Sequence, residues 1–422
     1  MSRRDVLRQF TKAVNDKSRD TVGSAVNLRR LSIPRLSTGS LVFDYAMGGG
    51  IPVGHMVIFR GSSSSGKTTA AIRTAGLAQN LCANCLRPVA DFEVVESEPD
   101  PDTGEVYYDA KGTCDCYRVG LFKPRQHVEE KNLEYRARLK EYEENSFEEF
   151  KIAFFDIENT LDLDWCKRVG LDTRRLYLAQ PSTAEETIDL YDELMRTGAI
   201  DMFVLDSLAA MTPAIEVEAS TLDEQMGAQA KLLNKFIRKM NAARVDCQRD
   251  FGFIPTQIWI NQERITMGGG WGDNTVMPGG EGQKFGSSAI IKMWASKIEK
   301  EKVDTDLKKE FQMELGTKVR MNFKLMKNKV SASYSSGGYV IKVSGADRGK
   351  VDDFKYVVEQ AIKYGLFREN EDGKKKTWFV GDEEFEIKKD AMARMQKPSV
   401  FEHLKKSVLR MMLEGIGNTT YK

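Results

Sequence analysis

The chain has 422 residues, a net charge of +1 and 30% charged residues, so any basic surface for a polyanion must be local. That length predicts two or three domains with ample core. Six cysteines in so long a chain argue against a disulfide scaffold, and no apolar run reaches membrane-spanning length. The polar opening Met1-Ser2-Arg3-Arg4-Asp5 does not read as a secretory signal, so a soluble intracellular protein is expected.

In chain order, residues 1–30 are polar and basic, with Val6, Leu7, Phe10 and Val14 at helical spacing. A short helix with one apolar stripe needs a neighbour to cover it, so this segment reads as an oligomerisation element or a frayed tail. Met56-Val57-Ile58-Phe59 then reads as a buried strand, and Thr69 to Gln79 as a helix. Between them, Gly61-Ser62-Ser63-Ser64-Ser65-Gly66-Lys67-Thr68 matches the phosphate-loop pattern G-x-x-x-x-G-K-[ST]. A strand, a glycine-rich turn and a helix start aim successive N–H groups at one anion. Lys67 then reaches the β- and γ-phosphates, and the Thr68 hydroxyl completes a Mg²⁺ shell. A nucleoside triphosphate is the expected ligand.

Residues 82–150 change character. Cys82-Ala83-Asn84-Cys85 opens the segment, the acidic turn Glu98-Pro99-Asp100-Pro101-Asp102 follows, and then Cys114-Asp115-Cys116. Glu129 to Glu149 reads as a solvated helix. Four thiolates from Cys82, Cys85, Cys114 and Cys116 fit a tetrahedral Zn²⁺ site that would fold a segment with little core of its own. Two redox-active thiol pairs or an iron–sulfur cluster are the alternatives. Cys166 and Cys247 read as ordinary core residues.

Beyond residue 151 come Ile152-Ala153-Phe154-Phe155-Asp156, Met202-Phe203-Val204-Leu205-Asp206 and Gln257-Ile258-Trp259-Ile260-Asn261. Short apolar runs ending in a polar residue are typical of central parallel strands with functional groups at their carboxyl ends. Asp206 there can hold a water on Mg²⁺, and Glu158, just past another strand, can polarise an attacking water. Gln262 closes the third strand and can sense a γ-phosphate. The blander readings are a helix cap, a surface charge and a loop amide. The helix after residue 227 puts Lys231, Lys235 and Arg238 on one face beside Asn234, a stripe able to track phosphates, with Leu233, Ile237 and Met240 on another. Residues 264–284 hold seven glycines in 21 positions, which predicts a mobile loop with neither helix nor strand. Yet that loop carries Arg264, Met267 and Trp271, large groups suited to stacking on bases. Val319, Met321, Phe323 and Leu325 alternate with polar residues as in a half-buried strand near an edge. Lys327 and Lys329, two apart on it, point to one side. Beyond Gly349, a helix (Phe354, Val357, Val358, Ala361, Ile362) and a charged tail predict a small separate domain.

In order, these segments resemble the RecA recombinases. The resemblance lies in Leu36-Ser37-Thr38-Gly39-Ser40-Leu41 with Asp44, Gly61 to Thr69, Phe155-Asp156-Ile157-Glu158, Leu205 to Pro213, Ile260-Asn261-Gln262, Pro278-Gly279-Gly280 and Lys327-Asn328-Lys329. It implies an α/β fold, a RecA-type ATPase core with a mostly parallel central sheet flanked by helices. The expected domains are an oligomerisation segment at 1–30, a core at 31–345 interrupted by the 82–150 insert, and a C-terminal domain at 350–422. The implied cofactors are ATP and Mg²⁺. The implied catalytic set is Glu158 as base, Asp206 on the Mg²⁺ side, Lys67, and Gln262 as γ-phosphate switch. Asp162 and Trp165 match positions against the adenine, and Lys327 and Lys329 match lysines that reach the ATP of an adjacent subunit. Met226-Gly227 matches a position that inserts between base triplets, and the loop with Arg264, Met267, Trp271, Gly279 and Gly280 resembles the second DNA-binding loop. The function implied is filament formation on single-stranded DNA and strand exchange with double-stranded DNA in the cytoplasm, with mediator or single-strand-binding proteins as further partners. Typical members lack the cysteine insert. That insert and the absence of a long acidic tail look more like a divergent or phage-encoded member, similar to UvsX-type recombinases. A hexameric helicase of the same fold and a non-catalytic mediator are the alternatives.

Overall fold

The computed structural model describes residues 33–96, 106, 108–114, 133–137, 140, 148–215, 228–265, 275–276, 282–303, 313–331, 335–372 and 375–417. The chain enters through β1 (Arg35–Leu36) and β2 (Ile51–Pro52), paired antiparallel around α1 (Leu41–Ala46). β3 (Met56–Gly61) leads through the phosphate loop into α2 (Lys67–Ala78). The cysteine segment then forms an antiparallel hairpin, β4 (Ala90–Glu96) with β5 (Tyr108–Thr113), which the sequence reading did not foresee. Strands and helices alternate next: β6 (Ile152–Asp156), α3 (Leu163–Val169), β7 (Leu176–Ala179), α4 (Ala184–Arg196), β8 (Met202–Asp206), α5 (Ala228–Phe251) and β9 (Thr256–Gln262).

The following segment corrects the expectation of a loop without helix or strand. β10 (Arg264–Ile265) pairs antiparallel with β11 (Thr275–Val276), and α6 spans Gly282–Gly286. The glycines cluster at 268–272 and 279–282, which leaves β-branched Ile265, Thr275 and Val276 to pair outside them. Long strands β12 (Ala289–Val303) and β13 (Met313–Asn328) follow, and β14 (Ser336–Lys342) closes the edge.

The main sheet has the order β14-β13-β12-β3-β9-β8-β6-β7, parallel from β12 to β7, with β13 and β14 antiparallel additions. A strand's side chains alternate between faces, and here both faces are covered. Val57, Phe59, Ile152, Phe154, Val204 and Ile258 pack on the side of α2 and α3. Met56, Ile58, Phe155, Phe203, Leu205 and Trp259 pack on the side of α4 and α5. The buried tyrosine hydroxyl and indole there satisfy each other: Trp259 Nε1 donates to Tyr191 Oη (3.0 Å), which donates to Gln257 Oε1 (3.2 Å). Cys166 and Cys247 are buried in the core, as expected.

Past Gly349 the charged stretch folds rather than trails: α7 (Phe354–Lys363), β15 (Phe367–Asp372), β16 (Lys375–Val380), β17 (Glu383–Phe385), α8 (Lys388–Gln396) and α9 (Pro398–Gly417). Val357, Phe367, Met395, Leu404 and Val408 form its core together with Leu41 of α1. Ile362, expected on the apolar stripe of α7, is exposed at the stripe's edge. Lys405 ties α9 back to the entry segment, reaching Asp353 (2.8 Å) and the Gly39 carbonyl (2.7 Å). Among the described residues no helix is long and apolar enough to cross a membrane.

Candidate nucleotide site at the strand ends

Backbone register builds the site before any side chain is considered. Gly61 at the end of β3 lies opposite Gln262 of β9, and Asp206 of β8 lies opposite Asp156 of β6. Four carboxyl-terminal strand ends therefore open onto one crevice, where ligands of parallel α/β sheets bind. Gly61 passes so close to β12 that an added Cβ would lie 2.1 Å from the Met293 carbonyl oxygen. Gly66 takes the left-handed conformation (φ 79°) and starts α2, whose first amides face the loop.

Lys67 is buried, and its ammonium donates to the carbonyls of Gly61 (3.0 Å) and Ser62 (2.6 Å) and to Ser65 Oγ (3.1 Å). Burial lowers its pKa, and the nearby carboxylates of Asp206, Glu158 and Glu263 oppose that shift. Thr68 Oγ1 donates to Asp206 Oδ2 at 2.6 Å. Burial pushes the Asp206 carboxyl up to about 6, against the pull of the Thr68 hydrogen bond. Two oxygens from α2 and β8 thus meet beside the phosphate loop, a donor set suited to a hard divalent cation.

Glu158 stands across the crevice. Its Oε1 accepts Ser207 Oγ (2.6 Å) and Gln262 Nε2 (2.8 Å), so three strand ends share one carboxylate. Sequence reading singled out Glu158 and Gln262 separately but missed Ser207, which follows Asp206 directly. It also missed Gln180, whose Nε2 donates to Asp156 Oδ2 (3.1 Å), and Glu263, which pairs with Arg60 (3.1 Å). Strand-end position was the available signal for both Ser207 and Glu263.

Asp162 caps α3, accepting the N–H groups of Asp164 (2.9 Å) and Trp165 (3.0 Å). Trp165 Nε1 donates to Thr69 Oγ1 (3.3 Å), which places its ring beside the phosphate-loop helix, and the Arg348 guanidinium lies over that ring at 5.2 Å. Arg348 was another omission.

Lys327 and Lys329 do share a side. Lys327 donates to the carbonyls of Ser287 (2.7 Å) and Lys284, and Lys329 donates to that of Phe285 (3.4 Å), all at the carboxyl end of α6. Burial, then the neighbouring Lys329 charge, pushes the Lys327 pKa down to about 8. A buried hydrogen bond from Asn261 Nδ2 to Gln283 Oε1 (2.8 Å) joins α6 to the residue before Gln262. The lysines are thus connected to the crevice through α6 and β9.

A sequence model of the RecA N-terminal domain matches residues 141–343, a span that begins after the phosphate loop and most of the cysteine segment. The Protein RecA of Nocardioides sp. (strain ATCC BAA-499 / JS614) is 31% identical over 274 residues, covering 64% of this chain and 69% of the relative. The Protein RecA of Mycolicibacterium gilvum (strain PYR-GCK) is 28% identical over 393 residues, covering 92% and 85%. The chain belongs to the RecA family.

The expected DNA contacts of this RecA-family chain are only partly within the described residues. Lys231, Lys235 and Arg238 are exposed along α5, opposite buried Leu233, Ile237 and Met240, and Asn234 packs against Gly282. Arg264 lies in β10, although its side chain is outside the description. Met226, Gly227, Met267, Trp271, Gly279 and Gly280 lie outside the described residues. In the hairpin, the sulfurs of Cys82, Cys85 and Cys114 lie within 4.8 Å of one another, with Cys85 and Cys114 at 3.1 Å. The fourth expected ligand, Cys116, lies outside the described residues.

Proposed function

We propose that this RecA-family chain hydrolyses ATP as a helical filament on single-stranded DNA and promotes homologous pairing and strand exchange with a duplex. The observation that carries this reading is the convergence of Thr68 with Asp206 and of Ser207 and Gln262 with Glu158 at adjacent strand ends. The first amides of α2 and Lys67 bind the phosphates. Thr68 and Asp206 would hold Mg²⁺, which neutralises charge on the β- and γ-phosphate oxygens when bound. Glu158 takes the proton of the attacking water. Ser207 and Gln262 both hold its Oε1, and Oε2 is the acceptor we assign to that proton. Gln262 also leads into β10 and the loop carrying Met267 and Trp271, so a donor that follows the γ-phosphate is covalently continuous with a DNA-binding segment.

Asp162 and Trp165 bound the adenine. Lys327 and Lys329 complete the site of a neighbouring subunit, with residues 1–30 helping that assembly. Met226, Gly227, Lys231, Asn234, Arg238, Arg264, Met267, Trp271, Gly279 and Gly280 form the DNA surface. The hairpin cysteines hold a zinc ion. Residues 350–422 act as a C-terminal domain.

The test combines ATP turnover with and without single-stranded DNA and electron microscopy of the complex with an ATP analogue. DNA-stimulated turnover and helical filaments are expected. Closed rings that unwind duplexes would favour a helicase, and nucleotide binding without turnover a mediator. Trp271→Ala should weaken DNA binding by about 1–3 kcal/mol if the indole stacks on a base.

A further inference from the structure

We infer that Cys82, Cys85 and Cys114 form a zinc–thiolate knuckle that clamps the β4–β5 hairpin onto the carboxyl end of the phosphate-loop helix α2 through Arg175. The clamp rests on the zinc assignment proposed above and adds to it a structural connection between the insert and the ATPase core.

The three sulfurs come from sequence positions 29 or more residues apart for Cys114, yet gather within 4.8 Å. Zinc–sulfur bonds of 2.3 Å in a tetrahedron hold sulfurs about 3.8 Å apart, so only small adjustments would admit an ion. The chain around the first pair is already wound as a metal-binding turn. Leu86 N–H donates to the Cys82 carbonyl (2.7 Å), Cys82 N–H donates to the Arg87 carbonyl (2.9 Å), and Arg87 N–H donates to Cys85 sulfur. The turn holds Leu86 at φ 58°, a left-handed conformation that a bulky residue adopts only when its surroundings impose it. Soft thiolates select zinc over the hard magnesium of the nucleotide site.

The hairpin has only a small apolar core of its own. Its apolar cluster consists of Cys82 and Cys114 with Cys85, Val89, Phe92 and Ala110, and an isolated two-stranded hairpin is marginal in water. Backbone hydrogen bonds from Ala83 N–H to the Glu148 carbonyl (2.8 Å) and from Val89 N–H to the Asn80 carbonyl (3.1 Å) tie it to the core, and a buried cation joins them. Arg175 Nε pairs with Glu149 (2.7 Å), Nη2 donates to the Gln79 carbonyl just past α2 (3.1 Å), and the guanidinium lies 4.7 Å from the Phe92 ring of β4. Cys82 bridges directly to Glu149. The ion and the guanidinium would therefore add to these backbone bonds in holding hairpin, return segment and helix end together.

The test uses the full chain purified in reducing buffer without chelators. Elemental analysis should find about one zinc per chain. Occupancy should fall at least about tenfold in Cys85→Ser and Cys114→Ser, and stay unchanged in Cys247→Ala. Stripping the wild-type chain with a zinc chelator should raise amide hydrogen exchange at residues 79–89 and 172–176, while β8 and β9 stay protected. The wild-type experiment keeps the idea falsifiable if a cysteine variant fails to fold. Absence of zinc, with a Cys85–Cys114 disulfide or bound iron in its place, would overturn the metal assignment and the clamp together. Zinc present with unchanged exchange at 79–82 and 172–176 would overturn the clamp alone.

Discussion

The two ends of helix α2 face two candidate ligand sites built in opposite ways. At its amino end, the groups that face the phosphate loop come from β3, β6, β8 and β9, whose relative positions are fixed by ladder hydrogen bonds in a buried sheet. At its carboxyl end, three cysteines gather in a hairpin whose own apolar cluster is a handful of side chains. The first site is organised by the fold and should survive loss of its ligand. On the zinc reading proposed above, the second would be organised largely by its ligand, so binding free energy there would be folding free energy.

The largest effects should fall at the amino end and leave the carboxyl end untouched. Lys67→Ala is expected to abolish nucleotide binding in titration calorimetry while the chain keeps its zinc and its melting profile. Glu158→Gln should retain binding, because the Gln oxygen still accepts from Ser207 and Gln262, and lose about 10²–10⁴-fold in turnover. Parent-rate hydrolysis by Glu158→Gln with DNA present would remove Glu158 as the base. Zinc loss in either variant would show that the two ends are not separable.

A smaller effect probes the join. Arg175→Met leaves Glu149 without its buried partner, which should cost about 3 kcal/mol in chemical denaturation. ATP affinity should change less than stability, since Arg175 touches α2 only beyond its last turn. A stable Arg175→Met chain with intact hairpin protection would mean that Arg175 is not part of the clamp.

Much of the amino-end site was legible because it is local and periodic. The phosphate loop is contiguous, and apolar runs ending in Asp206, Asn261 and Asp156 marked parallel strands whose ends had to converge. The pairing of Ser207 with Glu158 was not legible, because it depends on β6 and β8 being sheet neighbours, a fact of topology rather than spacing. Arg348 over Trp165 was hidden for the same reason, the two lying far apart in sequence. At the carboxyl end the cysteine spacing suggested a metal, but the alternation in β4 (Ala90, Phe92 and Val94 against Asp91 and Glu93) and in β5 (Tyr108 and Ala110 against Asp109 and Lys111) is too short and too charged to have announced a hairpin. The seven-glycine loop misled by composition: the average was flexible, while its β-branched flanks were able to pair.

The smallest effects concern Lys327 and Lys329, which lie on neither end of α2 yet reach the crevice through α6 and the Asn261–Gln283 bond. Lys327→Ala or Lys329→Ala should leave ATP binding by the monomer near normal and lower DNA-dependent turnover about tenfold, through lost contact with a neighbour's nucleotide. Equal loss of monomer binding would make them cis or structural residues. Acidity gives a second readout. Lys327 is held near 8, below the ordinary lysine value, so the folded chain releases this proton before the unfolded chain does. From about pH 8 to the ordinary lysine range the unfolded state therefore binds more protons, and stability from this group rises with pH; it is lost as pH falls through 8. Lys327→Met should remove that rise, a difference on the order of 1 °C in melting temperature between neutral and alkaline buffer, given its partial exposure. An unchanged pH dependence would show that Lys327 is solvated rather than pressed against α6, and would weaken the case that it is poised for a partner's phosphate.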